Sequence, residues 1–118
     1  MTETIRRHHE LASGQWSRLS LAEQLANVGS EVGRMVRWRN RDARLMNGAF
    51  DRALELLDLT LGDPRWRNRL VEIARARELL CAATLLGGHV YGTSLEDLDR
   101  YFLAFAVAAR NARAHFPA

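Results

Sequence analysis

Apolar residues recur at three- and four-residue spacing along almost the whole chain, and no β-branched run alternates with polar residues. That period belongs to α-helices with one buried face. Ser20-Leu-Ala-Glu23 reads as a capping box opening a first helix, whose apolar ridge is Leu21, Leu25, Val28, Val32 and Met35. A second ridge of small residues, Ala22, Ala26, Gly29 and Gly33, predicts close approach by a neighbouring helix. Each mid-helix glycine otherwise costs about 1 kcal/mol relative to alanine.

Asp42 is placed to cap a second helix, with Asn47-Gly48 able to delay its start. Its inward stripe is Met46, Phe50, Ala53, Leu54, Leu57 and Leu61, with Asp51, Glu55 and Asp58 on another face, and Gly62 closes it. Asp63-Pro64 is a strong start signal for a third helix. Its apolar positions include Leu70, Ile73, Ala74, Leu80, Ala83 and Leu86, and Gly87-Gly88 ends it. Thr93-Ser-Leu-Glu96 reads as another capping box before a last helix that is apolar all round from Tyr101 to Ala109. A helix buried on every side is central or meets a second subunit.

The expectation is an all-α, single-domain, up-and-down four-helix bundle, with helices at about 21–40, 43–61, 64–86 and 94–116. A short N-terminal segment, 1–18, precedes it, with a short helix over Glu3–Ala12. The apolar last helix predicts a homo-oligomer.

Composition adds one unusual fact. All 17 Lys+Arg residues are arginine, and the formal net charge is +3. An excess of guanidinium groups favours polyanionic partners, although a genome-wide preference for arginine codons also removes lysine. The pentapeptide Arg-Trp-Arg-Asn-Arg occurs twice, at Arg37–Arg41 and Arg65–Arg69. Guanidinium forks interleaved with an indole suit phosphates and base faces. The candidate nucleic-acid-binding residues are therefore Arg37, Trp38, Arg39, Arg41, Arg65, Trp66, Arg67 and Arg69, within a wider basic set holding Arg34, Arg44, Arg75 and Arg77. The competing reading is a solvated face neutralised by Asp51, Glu55, Asp58, Glu72 and Glu78. In an up-and-down bundle the two copies lie at opposite ends of a subunit. Arginine suits the end of a helix but opposes the dipole at its start, so the second copy has the stronger claim to a purpose beyond local stability.

No metal or cofactor site is expected. His8 and His9 are adjacent and so point apart on a helix, and with His89 they read as surface residues. Glu-x-x-His spacing is absent, and Glu55-Leu-Leu-Asp58 supplies only half of a paired acidic motif. Cys81 has no local histidine and reads as a buried structural thiol. A lone cysteine, no secretory signal and no bilayer-length apolar run predict a soluble cytoplasmic protein without a membrane partner.

Arg110-Asn-Ala-Arg-Ala-His115 resembles the Arg-x4–6-His motif of the HEPN family of helical ribonucleases and nucleotidyltransferase partners. That likeness implies an alternative catalytic set of Arg110, Asn111 and His115, with the guanidinium stabilising a phosphorane and the imidazole moving protons. His115 stands close to the end of the chain, where the family pattern continues in helix. The stretches Leu19–Val32 and Ala49–Thr60, with Asp63-Pro64 and Tyr91-Gly-Thr, resemble an uncharacterised family of small prokaryotic helical proteins. By architecture and charge alone, the chain is similar to the accessory variability (Avd-like) proteins of diversity-generating retroelements. That likeness implies a basic oligomeric bundle that binds RNA or DNA and a reverse transcriptase. A purely protein-binding module is the remaining alternative.

Overall fold

The computed structural model of the protein describes residues 14–88 and 91–115, with the backbone alone at His115. A 3₁₀ turn at Trp16–Arg18 leads into α1 (Leu21–Trp38). It is followed by α2 (Ala43–Leu61), a 3₁₀ segment at Pro64–Arg69, α3 (Leu70–Leu85) and α4 (Leu95–His115). The architecture is the expected all-α four-helix bundle, and no helix among the described residues is long and apolar enough to cross a membrane. The short helix expected over Glu3–Ala12, and His8, His9 and His89, lie outside the described residues.

Local chemistry starts and stops these helices largely as the spacing predicts. The Ser20 hydroxyl accepts from the Glu23 amide at 3.1 Å, and the Glu23 carboxylate accepts from the Ser20 amide at 2.9 Å. Asp42 accepts from the Leu45 amide at 3.1 Å, so α2 begins at Ala43 and Asn47-Gly48 do not delay it. The last helix is capped one residue later than expected. Ser94 and Asp97 exchange the reciprocal bonds, at 2.9 and 3.0 Å, and Thr93-Glu96 do not. The first helix stops at Trp38, before 40, because Arg39 turns to an extended ψ of 129° and Asn40 follows with a left-handed φ of 65°. The third starts at Leu70, after 64, because Trp66 leaves helical geometry (φ −103°, ψ 25°) and residues 64–69 wind as 3₁₀. Gly87, at φ 79°, follows its end.

The ridge of α1 forms the spine. Leu21, Leu25, Val28, Val32 and Met35 are all buried. α1 packs extensively on both α2 and α4, whereas α3 touches α2 and α4 more lightly. From α2 the core takes Ala49, Phe50, Ala53, Leu56 and Leu57; Met46, Leu54 and Leu61 only flank it. From α3 it takes Ile73, Ala76 and Leu80, while the apolar positions Leu70, Ala74 and Leu86 face outward. Cys81 is half-buried against the core, not sealed within it.

The small ridge of α1 is where α4 comes close. A Cβ added at Gly29 would lie 2.8 Å from Phe102 Cβ, whereas one at Gly33 would meet only the Asp99 carboxylate, at 3.6 Å. α4 is nevertheless not a central helix. Phe102 is fully buried, but Leu103 is 59% exposed and Val107 44%.

These distances give two glycines, four residues apart, opposite fates. Phe102 Cβ cannot swing aside, so Gly29→Ala should lose about 1–3 kcal/mol to overpacking. That outweighs a helix-propensity gain of about 1 kcal/mol. Gly33→Ala should keep most of the gain. Thermal unfolding should show the melting temperature falling for the first variant and rising by a few degrees for the second.

Candidate nucleic-acid interface

The two copies of Arg-Trp-Arg-Asn-Arg share a sequence but not a structure. The first forms the last residues of α1 and the turn beyond it. The second is the 3₁₀ lead-in to α3. Arg39 pairs with Glu96 at the start of α4, while Arg65 donates to Leu19 O, just before α1, at 2.8 Å. α1 and α4 run antiparallel, so the copies mark opposite ends of the bundle and do not merge into one patch within a protomer.

The second copy is largely consumed by the fold. Gln24, one turn into α1, has no exposed surface. Its Nε2 donates to Trp16 O at 2.9 Å and to Asp63 Oδ2 at 3.1 Å, and its Oε1 accepts from Trp66 Nε1 at 3.0 Å. Asp63 in turn accepts from the Arg65 backbone amide at 3.0 Å and from the Arg65 guanidinium, whose Nη2 lies 2.7 Å from Oδ2. The same guanidinium lies over the Trp66 ring, 4.4 Å from its centroid. Arg69 pairs with Glu72 at 2.8 Å, and Glu72 also accepts from Tyr101 Oη at 2.9 Å. Burial pushes the Tyr101 phenol up to about 12, helped by that carboxylate. Arg67 alone among the three arginines is exposed without a carboxylate partner among the described residues. The carboxylates of Asp63 and Glu72 answer the unfavourable placement of arginine at a helix start.

The first copy is used differently. Trp38 O accepts from the amides of Arg41 and Asp42, at 2.9 and 3.0 Å, closing the turn around Asn40. Arg39 grips Glu96 with both guanidinium nitrogens, which raises the arginine pKa and lowers that of the glutamate. Arg37 and Arg41 are exposed and have no carboxylate partner among the described residues, and the same holds for Arg44 on the first turn of α2. Arg34 lies 3.0 Å from the buried Glu31 but keeps half of its side chain in solvent. Trp38 is half-buried and outside the core. Guanidinium groups and an indole edge thus converge on this end of the bundle.

The remaining candidates separate clearly. Arg77 bridges to Asp58 at 2.7 Å and ties α3 to α2, and Arg75 is exposed. Arg110 and Asn111 are exposed on the last turns of α4, and the His115 side chain lies outside the described residues. No three His, Cys, Asp or Glu side chains among the described residues gather as metal ligands. Gln24 escaped the sequence reading. Its sign is positional: a polar residue on the ridge of Leu21, Leu25 and Val28 must find buried partners.

No protein-family model matches this chain, and no curated protein or solved structure matches it.

Two measurements probe the second copy. Gln24→Met keeps the volume but orphans Trp66 Nε1, so urea denaturation should show a loss of about 1–3 kcal/mol. Arg67→Gln, two residues from Arg65, should stay within about 0.5 kcal/mol of wild type. Acid should expose Asp63. The Arg65 guanidinium holds its carboxyl down at about 2, below the ordinary 3.8. A depressed folded-state pKa stabilises the fold above about pH 4 and is lost as the pH falls toward 2. With 7% of that side chain exposed, the drop corresponds to about 2 kcal/mol. The stability gap between wild type and Asp63→Asn should therefore narrow steadily from pH 5 to pH 2 in a denaturation series.

Proposed function

We infer that the protein is a non-enzymatic binding module that contacts nucleic acid through the end of the bundle carrying Arg37, Arg41 and Arg44, with Trp38 as a stacking edge. One observation carries this reading. These three guanidinium groups stand exposed and without carboxylate partners among the described residues, whereas Arg39, Arg65 and Arg69 of the original set are held by Glu96, Asp63 and Glu72. Unneutralised arginines on a chain of net charge +3 suit phosphate oxygens, and an indole beside them suits an unstacked base. Arg67, at the far end, is a separate and lesser contact. The fold-and-charge likeness to reverse-transcriptase accessory proteins is compatible with this reading and adds no residue to it.

The test is fluorescence anisotropy with a labelled single-stranded RNA and a DNA duplex across a salt series. Binding to at least one of them should weaken steeply between 50 and 200 mM salt. Replacing Arg37, Arg41 and Arg44 together by Gln should remove most of the affinity and reduce the salt slope by about two to three. An unchanged affinity in that variant refutes the site. Metal-independent RNA cleavage that disappears in His115→Ala would put the Arg110, Asn111 and His115 reading in its place.

A further inference from the structure

The outer surface of α4 has a composition that its own protomer uses only in part. Along one stripe, at helical spacing, stand Glu96, Asp99, Leu103, Ala106, Arg110 and Arg113. Acidic residues occupy the first part, apolar residues the middle, and basic residues the last. Leu103 is 59% exposed at the centre. Asp99 and Arg110 have no charged partner among the described residues, and Arg110 is exposed. Beside the stripe, a groove of about 130 Å³ lies between α4 and α1, floored by Ala26, Gly29 and Ser30. The arrangement is apolar at its centre, oppositely charged at its two ends, and bordered by a groove with small residues on its α1 side.

The geometry points to a second copy of this chain as the occupant, with the α4 helices of two protomers packed antiparallel about a two-fold axis between Leu103 and Ala106. Such an axis matches a patch to itself. The stripe then aligns without a mismatch. Leu103 of each copy meets the small Ala106 of the other and reaches toward the groove beside it. Asp99 of each faces Arg110 of the other, and Glu96 faces Arg113. One of these four groups already has an intrachain partner, since Glu96 pairs with Arg39. The Asp99–Arg110 contacts, made twice by symmetry, are the ones a dimer supplies anew. A parallel pairing would set acid on acid and base on base, so charge selects the antiparallel arrangement.

The size of the contact sets its strength. A 21-residue helix is about 30 Å long. One helix pair with its bordering groove is smaller than the roughly 1,200–2,000 Å² that stable specific interfaces bury and belongs with weak, transient contacts. The dimer should be reversible and concentration-dependent. Arg37, Arg41 and Arg44 lie on α1, α2 and the turn between them and not on the α4 stripe, although Glu96, which pairs with Arg39 at that end, belongs to the stripe.

Sedimentation velocity on the full chain over a hundredfold concentration range tests this. Wild type should pass from monomer to dimer. Arg110→Asp, an exposed site where folding is not at stake, should weaken dimerisation by at least about tenfold. Leu103→Glu should abolish it while the circular dichroism spectrum stays helical. The charge exchange Asp99→Arg with Arg110→Asp should restore dimerisation to within about threefold of wild type. A monomer at every concentration overturns the proposal. So does a dimer indifferent to Leu103→Glu, or one weakened by Arg110→Asp that the exchange does not recover.

Discussion

A single buried amide sets the terms for one whole end of this bundle. Gln24 occupies a ridge position that would normally carry a hydrophobic side chain, and it uses three of its hydrogen-bonding sites on three different segments. The Trp16 carbonyl, the Asp63 carboxylate and the Trp66 indole must therefore converge on it. A polar group removed from water is tolerated only when such bonds are made. The 3₁₀ turn before α1 and the 3₁₀ segment before α3 thereby become one unit with the first turn of α1. Arg65 seals that unit by reaching Asp63, Leu19 O and the Trp66 face at once.

This constraint explains why identical pentapeptides serve different ends. At Arg65–Arg69 a buried acceptor lies within reach, so indole and guanidinium turn inward. At Arg37–Arg41 no such buried acceptor is engaged among the described residues. The chain instead takes a left-handed turn at Asn40, and Glu96 takes only one arginine. Arginine near the end of α1 also complements the helix dipole, so the fold gains from these charges without having to bury them. Charge left over after internal pairing, not total charge, separates the two ends.

Much of the fold was legible in the periodicity. The ridge of α1, the caps at Ser20, Asp42 and Asp63, and the close approach over Gly29 all follow from residue type and spacing. The misplaced start of α3 was not legible, because Asp63-Pro64 signals a helical start without saying whether the first turn is α or 3₁₀. The outward positions of Leu70 and Leu86 were hidden for a similar reason: Glu72, Arg75, Arg77 and Glu78 are spread around α3 among its apolar residues, so no single face stands out. For the site, the doubled motif located the arginines. Only contacts far apart in sequence, such as Arg39 with Glu96 and Trp66 with Gln24, show which of them remain available.

The light attachment of α3 has a consequence of its own. A cleft of about 300 Å³ separates it from α4, lined by Val71, Ala76, Leu79, Leu98 and Tyr101, and Val71 is 85% exposed. Between them, the Glu72–Tyr101 and Arg77–Asp58 bonds do much of what dense packing does elsewhere in the bundle. A helix with fewer packed contacts than its neighbours opens locally at a lower free energy than they do. α1 is thus the hub on which α2 and α4 pack, and α3 is the most lightly attached helix, anchored in the core by Ile73, Ala76 and Leu80. Amide protons on α3 would exchange with solvent while those of α1 stay locked.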